Sequence, residues 1–571
     1  MSLWSDLNRQ LVAKAMSELL FEEVLSATAL GADQYSLTLA SNVVYQFRAR
    51  TSAWQHLWVD AESLCRSPSQ EVSAGQFFID SLHETQMSEI TLGTFLEEMN
   101  NTLYSDVRLR ERAQASAEEM ITWGDTRIQQ ALPGHPKLLL NKGRMGWGAQ
   151  DLAHFAPEAQ AHFKLRWILV RRELIHQTSG DSFSRQDVIQ SSFHGEARAR
   201  IEDELNEYPA SQWELLPVHP WQWDQVIALQ FQSELQKMNI IDLGFRGDSY
   251  TPLVSLRTLA NLSRPVEVDL KLPLTILNTS SVRGLPQRYF PITLELSQKL
   301  QALCLSDNLL AHVEVLSEVK ATGVRNPLHH QLPGTTYRYH EQLGAVWRES
   351  TMSKLKSDEQ AFLVAALFHQ DPQGQTLLAA LAQKSRVSVS TWLTQYARVV
   401  IVPLYHLQLK YGIGVVAHGQ NIVLKTTRGL PSGLLLKDFH GDLRLSSAHA
   451  EAHSKHFANI SDALIQLPPE HLIHDLVTGH FITVLRFMAR ALHESGALTE
   501  TSFYQIIGAE IAQYQKQHSE LVTPATDILA PSFQRVLINK VRFKIGYSDS
   551  AERPLPMLGS ELINPLAGKT L

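Results

Sequence analysis

The stretch HGQNIVLKTTRGLPSGLLLKDFHGDLR, residues 418–444, runs from a polar opening through an apolar segment at 422–424 and a Gly/Pro turn. A second apolar segment at 434–436 follows and ends on Lys437 and Asp438. Two such runs joined by turn residues predict a β-hairpin. The start of the first strand and the end of the second are adjacent in a hairpin, so His418 and Asn421 before the one and Asp438 after the other offer polar groups at one mouth. An amide and a carboxylate presented together are the oxygen donors that Mg2+ takes when bound to nucleotide phosphates. Asn421 and Asp438 are therefore the candidate metal ligands, and His418 is a candidate phosphate contact. The same residues also read as an ordinary hairpin with a charged rim, and the rest of the chain has to decide.

Upstream, positive charge is spaced as a phosphate site needs it. Ser255 and Arg257 stand two apart at the end of an apolar run, so on an extended chain both point one way. Lys271 opens another strand-like segment, and Arg283 closes it after the polar turn Asn278-Thr279-Ser280-Ser281. Hydroxyls and backbone N–H groups of such a turn, Ser281 among them, cradle phosphoryl oxygens, while Lys and Arg neutralise growing charge. The competing reading has Arg257 and Arg283 capping a sheet edge or pairing with nearby carboxylates. In GHPKLLLNKGRMGW, residues 134–147, Gly134-His135-Pro136 reads as a rigid turn. Beyond it, Lys142 and Arg144 share one side if the chain is extended. His219 and Pro220 are flanked by Trp213, Trp221 and Trp223, which suit either stacking on an adenine or an acyl chain or a sheet core.

Composition excludes several classes. The chain has 571 residues, 44% of them apolar and 19% charged, enough for several large cores. A net charge of -7, a pI near 6.4 and the lack of a basic block leave nothing to support a nucleic-acid partner. The opening MSLWSDLNRQLVAKAMSELL has helical spacing and carries Asp6 and Glu18, unlike a signal peptide, and the longest apolar runs fall short of a span. Cys65 and Cys304 are too far apart in sequence to resemble a disulfide framework, so a cytoplasmic protein with no membrane association is expected. The 24 histidines form no HExxH and no zinc spacing. His329 and His330 fall in a loop with Arg325, Arg338 and His340, cations of the kind that hold carboxylates.

The punctuation suggests three regions. Residues 1–132 carry helical patterns at 7–25 and 92–121 around an extended patch at 35–50. Residues 133–379 offer strand candidates at 164–170, 213–218, 251–259, 266–270 and 273–278. From 380 to 571 the hairpin sits among helices expected at 390–410, 453–465, 470–494 and 500–520. The fold class that follows is α+β.

Five pieces, GHPKLLLNKGRMGW, LLPVHPWQW, SLRT, KLPLTILNTSSVRG and the hairpin segment, occur in an order that resembles the siderophore synthetases working without a nonribosomal peptide template. That family resemblance implies a thumb, fingers and palm arrangement around one cleft, with a kinase-like hairpin in the palm, and a homodimer. It also implies ATP binding by Ser255, Arg257, Lys271, Ser281, Arg283, His418 and Asn421, and Mg2+ binding by Asn421 and Asp438. Catalysis is expected from Lys271, Arg283, His418 and Arg257, and substrate binding from His135, Lys142, Arg144, Arg325 and Arg348, the last within GAVWRES. The spacer 137–141 holds more leucine than the family pattern has, which leaves its role open.

The chemistry implied joins a carboxylate to an amine: attack on the ATP α-phosphate makes an acyl adenylate and pyrophosphate, and the amine then displaces AMP. Such a route needs charge stabilisation more than a protein nucleophile, and the chain has no GxSxG elbow. The segment at 7–25 and the form of the hairpin resemble members that condense a citryl monoamide with N6-acetyl-N6-hydroxylysine. Members that join and cyclise succinylated N-hydroxy-diamine units share the same core. A phosphotransferase and a non-catalytic scaffold are the remaining alternatives.

Overall fold

The computed structural model describes residues 2–68, 71–112, 114–180, 182–279, 281–547 and 557–568. Helix Leu3–Phe21 begins where the Ser2 hydroxyl accepts the Ser5 N–H at 3.2 Å, which satisfies one of the otherwise unpaired donors of the first turn. It buries Leu11, Val12, Met16 and Leu19 in a first core with Tyr45, Phe77, Phe95 and Leu140. Phe543, far along the chain, completes that core. The extended patch at 35–50 is two antiparallel strands, Gln34–Thr38 and Val44–Thr51, because the backbone turns back through Asn42 at φ +62°. The long helix of this region is Glu89–Glu111, shorter than the pattern suggested.

A second core lies on an antiparallel sheet of eight strands. Their order is Ile175–Ser179, Glu318–Val324, Leu343–Arg348, Asp269–Lys271, Thr258–Asn261, Ile240–Pro252, Phe163–Arg171 and Trp213–Val218. The strand expected over 251–259 is instead the end of one strand, a reversal and the start of the next. Leu253 N–H donates to the Thr258 carbonyl at 2.9 Å, and Leu256 takes φ +66° between them. Ser255 and Arg257 thus sit in a turn rather than on an extended chain. Trp213–Val218 is buried throughout, so Glu214 within it needs partners and has Arg172 at 2.7 Å and Lys320 at 3.1 Å.

The predicted hairpin is present as Ile422–Thr427 and Leu430–Leu436. Arg428 and Gly429 both have positive φ, +54° and +89°, the signature of the tight turn that matches strand twist. Pro431 does not belong to that turn; it lies at a register shift in the second strand, where a missing N–H is tolerated. Two strands from earlier in the chain complete this sheet. Val313–Val315 runs parallel to Leu430–Leu436, and Glu359–Leu363 pairs with Ile422–Thr427.

Helices pack a third core around that sheet. Residues 389–411 form one continuous helix whose middle, Ala397–Ile401, widens to i→i+5 bonding just ahead of Pro403, a residue with no N–H to give. The helix expected at 453–465 is only Ala450–Phe457. Helix Glu500–Gln517 falls near its expected span. Helix Pro469–Glu494 is long and apolar enough to cross a membrane, which the reading of short apolar runs missed, yet 83% of its apolar window is buried inside the protein.

Candidate active site

The ends of the two sheets meet at Asp438. Its backbone follows Leu430–Leu436 directly and takes φ +62°, a left-handed turn that Asp tolerates better than most residues. Lys271, ending the strand Asp269–Lys271, donates to Asp438 Oδ1 at 2.8 Å. Arg348, ending Leu343–Arg348, donates to Asp438 Oδ2 at 3.1 Å and to Asp269 Oδ2 at 3.0 Å. The antiparallel register pairs Asp269 with Arg348, which explains why these side chains reach one spot. Burial opposes ionisation of Asp438, but Lys271, Arg348 and Lys437 hold its carboxyl well below the usual range. The same carboxylates hold Arg348 firmly charged against its burial.

Beside this cluster the hairpin mouth is tied shut by backbone. Lys437 N–H donates to the Asn421 carbonyl at 3.2 Å, and Asn421 N–H to the His418 carbonyl at 3.0 Å. The Asn421 amide donates to the Val416 carbonyl at 3.2 Å and to Asp442 at 3.1 Å, which sets its plane. The loop is anchored from behind by His480, whose Nδ1 lies 2.9 Å from the Ala417 carbonyl and whose Nε2 lies 3.0 Å from the Tyr396 hydroxyl. Burial pushes His480 down to about 4, so it is neutral and serves as a strut.

The upstream cations adjoin the cluster through the sheet. Leu272 N–H donates to the Arg257 carbonyl at 2.8 Å, and Thr258 pairs with Lys271. The Arg257 guanidinium donates to the Gly284 carbonyl, next to Arg283, at the end of the two-stranded hairpin Leu274–Asn278 and Ser281–Arg283. Arg283 donates to the Asn278 carbonyl at 2.7 Å and to the Thr279 hydroxyl. Ser255 turns inward, its hydroxyl accepting the Thr258 N–H at 3.2 Å. Ser281 pairs with Asn278, and Ser280 lies outside the described residues.

The expected substrate-binding residues separate. Lys142 is buried on Asp106 and the Pro133 carbonyl, and Arg144 on both oxygens of Glu158. Arg144 takes φ +37°, so the two do not share a side of an extended chain. Arg325 donates to the Glu173 carbonyl at 3.0 Å, at the far end of the strand whose near end, Glu318, faces Lys271 and His440. His135 accepts the N–H groups of Lys137 and Leu138, at 3.2 Å and 3.1 Å, on its Nδ1. Burial and nearby His418 push it to about 3. The tryptophans are core: Trp213, Trp221 and Trp223 are buried, and His219 accepts the Trp221 N–H at the start of a helix.

Sequence reasoning passed over Asp269, Glu318 and Glu341 and gave Lys437 no role. A signal was available for the first, since Asp269 and Lys271 alternate in an apolar run, and a charge in a strand buried on both faces requires a partner. Glu341 faces Arg257 and Arg288, and burial pushes its carboxyl up to about 7, with Tyr337 and those arginines pulling against it. Its proton is then held in the folded chain but lost in the unfolded one as pH rises above its ordinary value of 4.5. Stability present at pH 4.5 is therefore lost progressively up to pH 7, on the order of 3 kcal/mol from this group. Glu341→Gln is expected to flatten that fall; unfolding midpoints of both proteins between pH 5 and pH 8 check it, and parallel curves would contradict it.

Known proteins resemble this chain along its length. The profile of the IucA / IucC family matches residues 126–369, and that of the ferric iron reductase FhuF-like transporter family matches residues 390–550. The aerobactin synthase of Escherichia coli is 37% identical over 99% of this chain and 98% of its own. The solved aerobactin synthetase IucC from Klebsiella pneumoniae superposes with a TM-score of 0.88 at 34% identity, covering 99% of each chain. The ATP-bound aerobactin synthetase IucA from the same species shares the fold, with a TM-score of 0.76 at 20% identity over the full length of both chains. Likeness that runs from end to end, through both sheets that meet at Asp438, places this chain in the IucA/IucC family of siderophore synthetases.

Proposed function

We propose that this protein is an ATP-dependent ligase that adenylates a citrate-derived carboxylate, such as a citryl monoamide. It then condenses that acid with the amine of an N-acyl-N-hydroxy diamine, such as N6-acetyl-N6-hydroxylysine. The observation that carries this reading is the meeting of Lys271 and Arg348 on Asp438, with Arg257 and Arg283 on the adjoining turn and hairpin. Lys271 at a strand end, with Arg257 and Arg283 on the neighbouring turn and hairpin, supplies cations of the kind that hold a polyphosphate, and the relation to aerobactin synthase suggests the acid and the amine. In this reading the three cores correspond to thumb, fingers and palm.

Asp438 holds Lys271 aimed before a nucleotide arrives, so little reorganisation remains for the reaction itself. The substrate carboxylate oxygen forms a bond to the α-phosphorus as the bond to the pyrophosphate oxygen breaks. Lys271 and Arg283 stabilise the charge gathering on that leaving group, while Arg257 and His418 hold the phosphate under attack. The amine then bonds to the acyl carbon, the carbon–oxygen bond to AMP breaks, and the amine proton leaves to solvent. Asn421, Asp438 and Asp442 offer only oxygen donors on the protein side, which fits Mg2+ with the remaining positions filled by phosphate and water. Bound there, Mg2+ would neutralise phosphate charge.

Incubation with ATP, Mg2+ and each acid–amine pair, followed by mass spectrometry, tests the reading. A citryl bis-hydroxamate with AMP and pyrophosphate is expected; a macrocyclic dihydroxamate without citryl product, or ADP, would replace it. Asp438→Asn is expected to raise the Mg2+ concentration for half-maximal pyrophosphate release by about tenfold, and Asn421→Ala by less, because a carboxylate binds a hard cation more strongly than an amide. Unchanged Mg2+ dependence in both folded variants would remove these residues from the metal site.

A further inference from the structure

A cleft of about 1160 Å3 has none of the Lys271–Asp438 cluster in its lining. Helix Leu3–Phe21, the strand Val44–Thr51, the 133–141 segment and the end of helix Pro469–Glu494 enclose it. Its walls mix apolar side chains, Leu7, Leu11, Trp58 and Phe487 among them, with charged ones, and Lys14, Glu18 and His135 also line it. Among the residues expected to bind nucleotide or substrate, His135 is the one that lines this cleft, and His418 lies close enough to add to the depression of its imidazole. The His135 wall of the cleft is therefore the part that lies toward His418, the candidate phosphate contact.

Its charges are mostly spoken for. Arg48 pairs with Asp60, Arg490 with Glu494, Arg50 with Glu500 and Asp106 with Lys142, while Glu18 is shared by Arg486 and Lys137. Among the described residues, Lys14, Arg110 and Asp33 line the cleft and form no salt bridge. Lys14 is held in place, its ammonium donating to the carbonyls of Leu138 at 2.6 Å and His135 at 3.1 Å. That leaves one N–H and a charge that no carboxylate neutralises at contact distance. Burial lowers its pKa to about 8, the behaviour of an ammonium short of an anionic partner.

We propose that this cleft seats the amine-bearing substrate and that Lys14 is the residue that reads a carboxylate adjacent to its reacting amine. The inference rests on the ligase reading and adds to it the place and the determinant of amine selection. A carboxylate on Lys14 sets the neighbouring amine beside His135, at the opening toward the phosphate loop. The aliphatic arm then lies along Leu7, Leu11 and Phe487, where burial of its methylenes is favourable. At the rim, Arg110 and Asp33 supply a donor and an acceptor for a hydroxamate, which offers both a carbonyl and an N–OH. A diamine lacking the carboxylate leaves Lys14 unmet and loses a charge-assisted contact.

Titration calorimetry without ATP tests this, using N6-acetyl-N6-hydroxylysine and the corresponding N-acetyl-N-hydroxy-1,5-diaminopentane. The unaltered protein is expected to bind the amino acid about tenfold or more tightly than the diamine. Lys14→Gln should weaken the amino acid alone and erase the difference, Lys14→Arg should restore part of it, and Gln10→Trp, which fills the cleft, should weaken both. Equal binding of the two amines by the unaltered protein overturns the proposal, as does equal weakening of both by Lys14→Gln or full binding by Gln10→Trp. Acid-dependent ATP–pyrophosphate exchange is measured alongside. Its absence with every acid would sink the ligase reading, while the binding comparison still decides the cleft.

Discussion

Lys271→Ala is expected to lower acid-dependent ATP–pyrophosphate exchange by about 10²–10³-fold, the effect of removing one preorganised charge-stabilising donor from a transition state. The Michaelis constant for ATP should change far less, since the charge that Lys271 meets is largest when the pyrophosphate bond breaks. The fold should survive, because Asp438 retains Arg348 at 3.1 Å, with Lys437 close by. Arg283→Ala should behave in the same way with a smaller loss. Exchange rates, with circular dichroism as the control for folding, decide the matter. A folded Lys271→Ala protein that exchanges at the unaltered rate would remove Lys271 from the chemistry.

Arg348→Met is expected to cost about 3–5 kcal/mol of stability, the usual penalty for breaking a buried ion network from one side. Arg348 is almost fully buried and bridges Asp269 and Asp438 at 3.0 and 3.1 Å, tying the eight-stranded sheet to the hairpin. Burial already pushes the Asp269 carboxyl upward against the pull of Arg348, so removing Arg348 leaves a buried carboxyl without its charge partner, and the two sheet ends lose their bridge. Arg348→Lys should recover only part of the loss, because one ammonium cannot span two carboxylates as a planar guanidinium does. Denaturant unfolding monitored at the tryptophans measures this; a loss below about 1 kcal/mol in Arg348→Met would mean that the bridge carries little of the fold. Arg348 was expected to bind substrate. Its geometry makes it first of all a strut that holds Asp438 in place.

Local pattern made some of this legible. The hairpin at 422–436 could be read because apolar runs of strand length, Gly429 and the terminal Lys437-Asp438 are all short-range signals, and the tight turn at Arg428-Gly429 obeys them. Periodicity likewise located helices Leu3–Phe21 and Glu500–Gln517 and the strand Trp213–Val218. Where a side chain's direction depended on a backbone reversal, the same reasoning failed. Ser255 and Arg257 were placed on an extended chain, but Leu256 at φ +66° folds that chain back. Arg144 at φ +37° parts from Lys142 in the same way.

By itself, then, the sequence determined which residue types exist to meet a phosphate, and in which local elements they sit. Only the tertiary structure decided which of them meet. The register that sets Asp269 beside Arg348, and the parallel pairing of Val313–Val315 with Leu430–Leu436, join positions dozens to more than a hundred residues apart. Those pairings bring Lys271 within 2.8 Å of Asp438 and leave Arg325 at the far end of its strand. Sheet register is a long-range choice made by the burial of whole strand faces, and no spacing of residues within one segment encodes it.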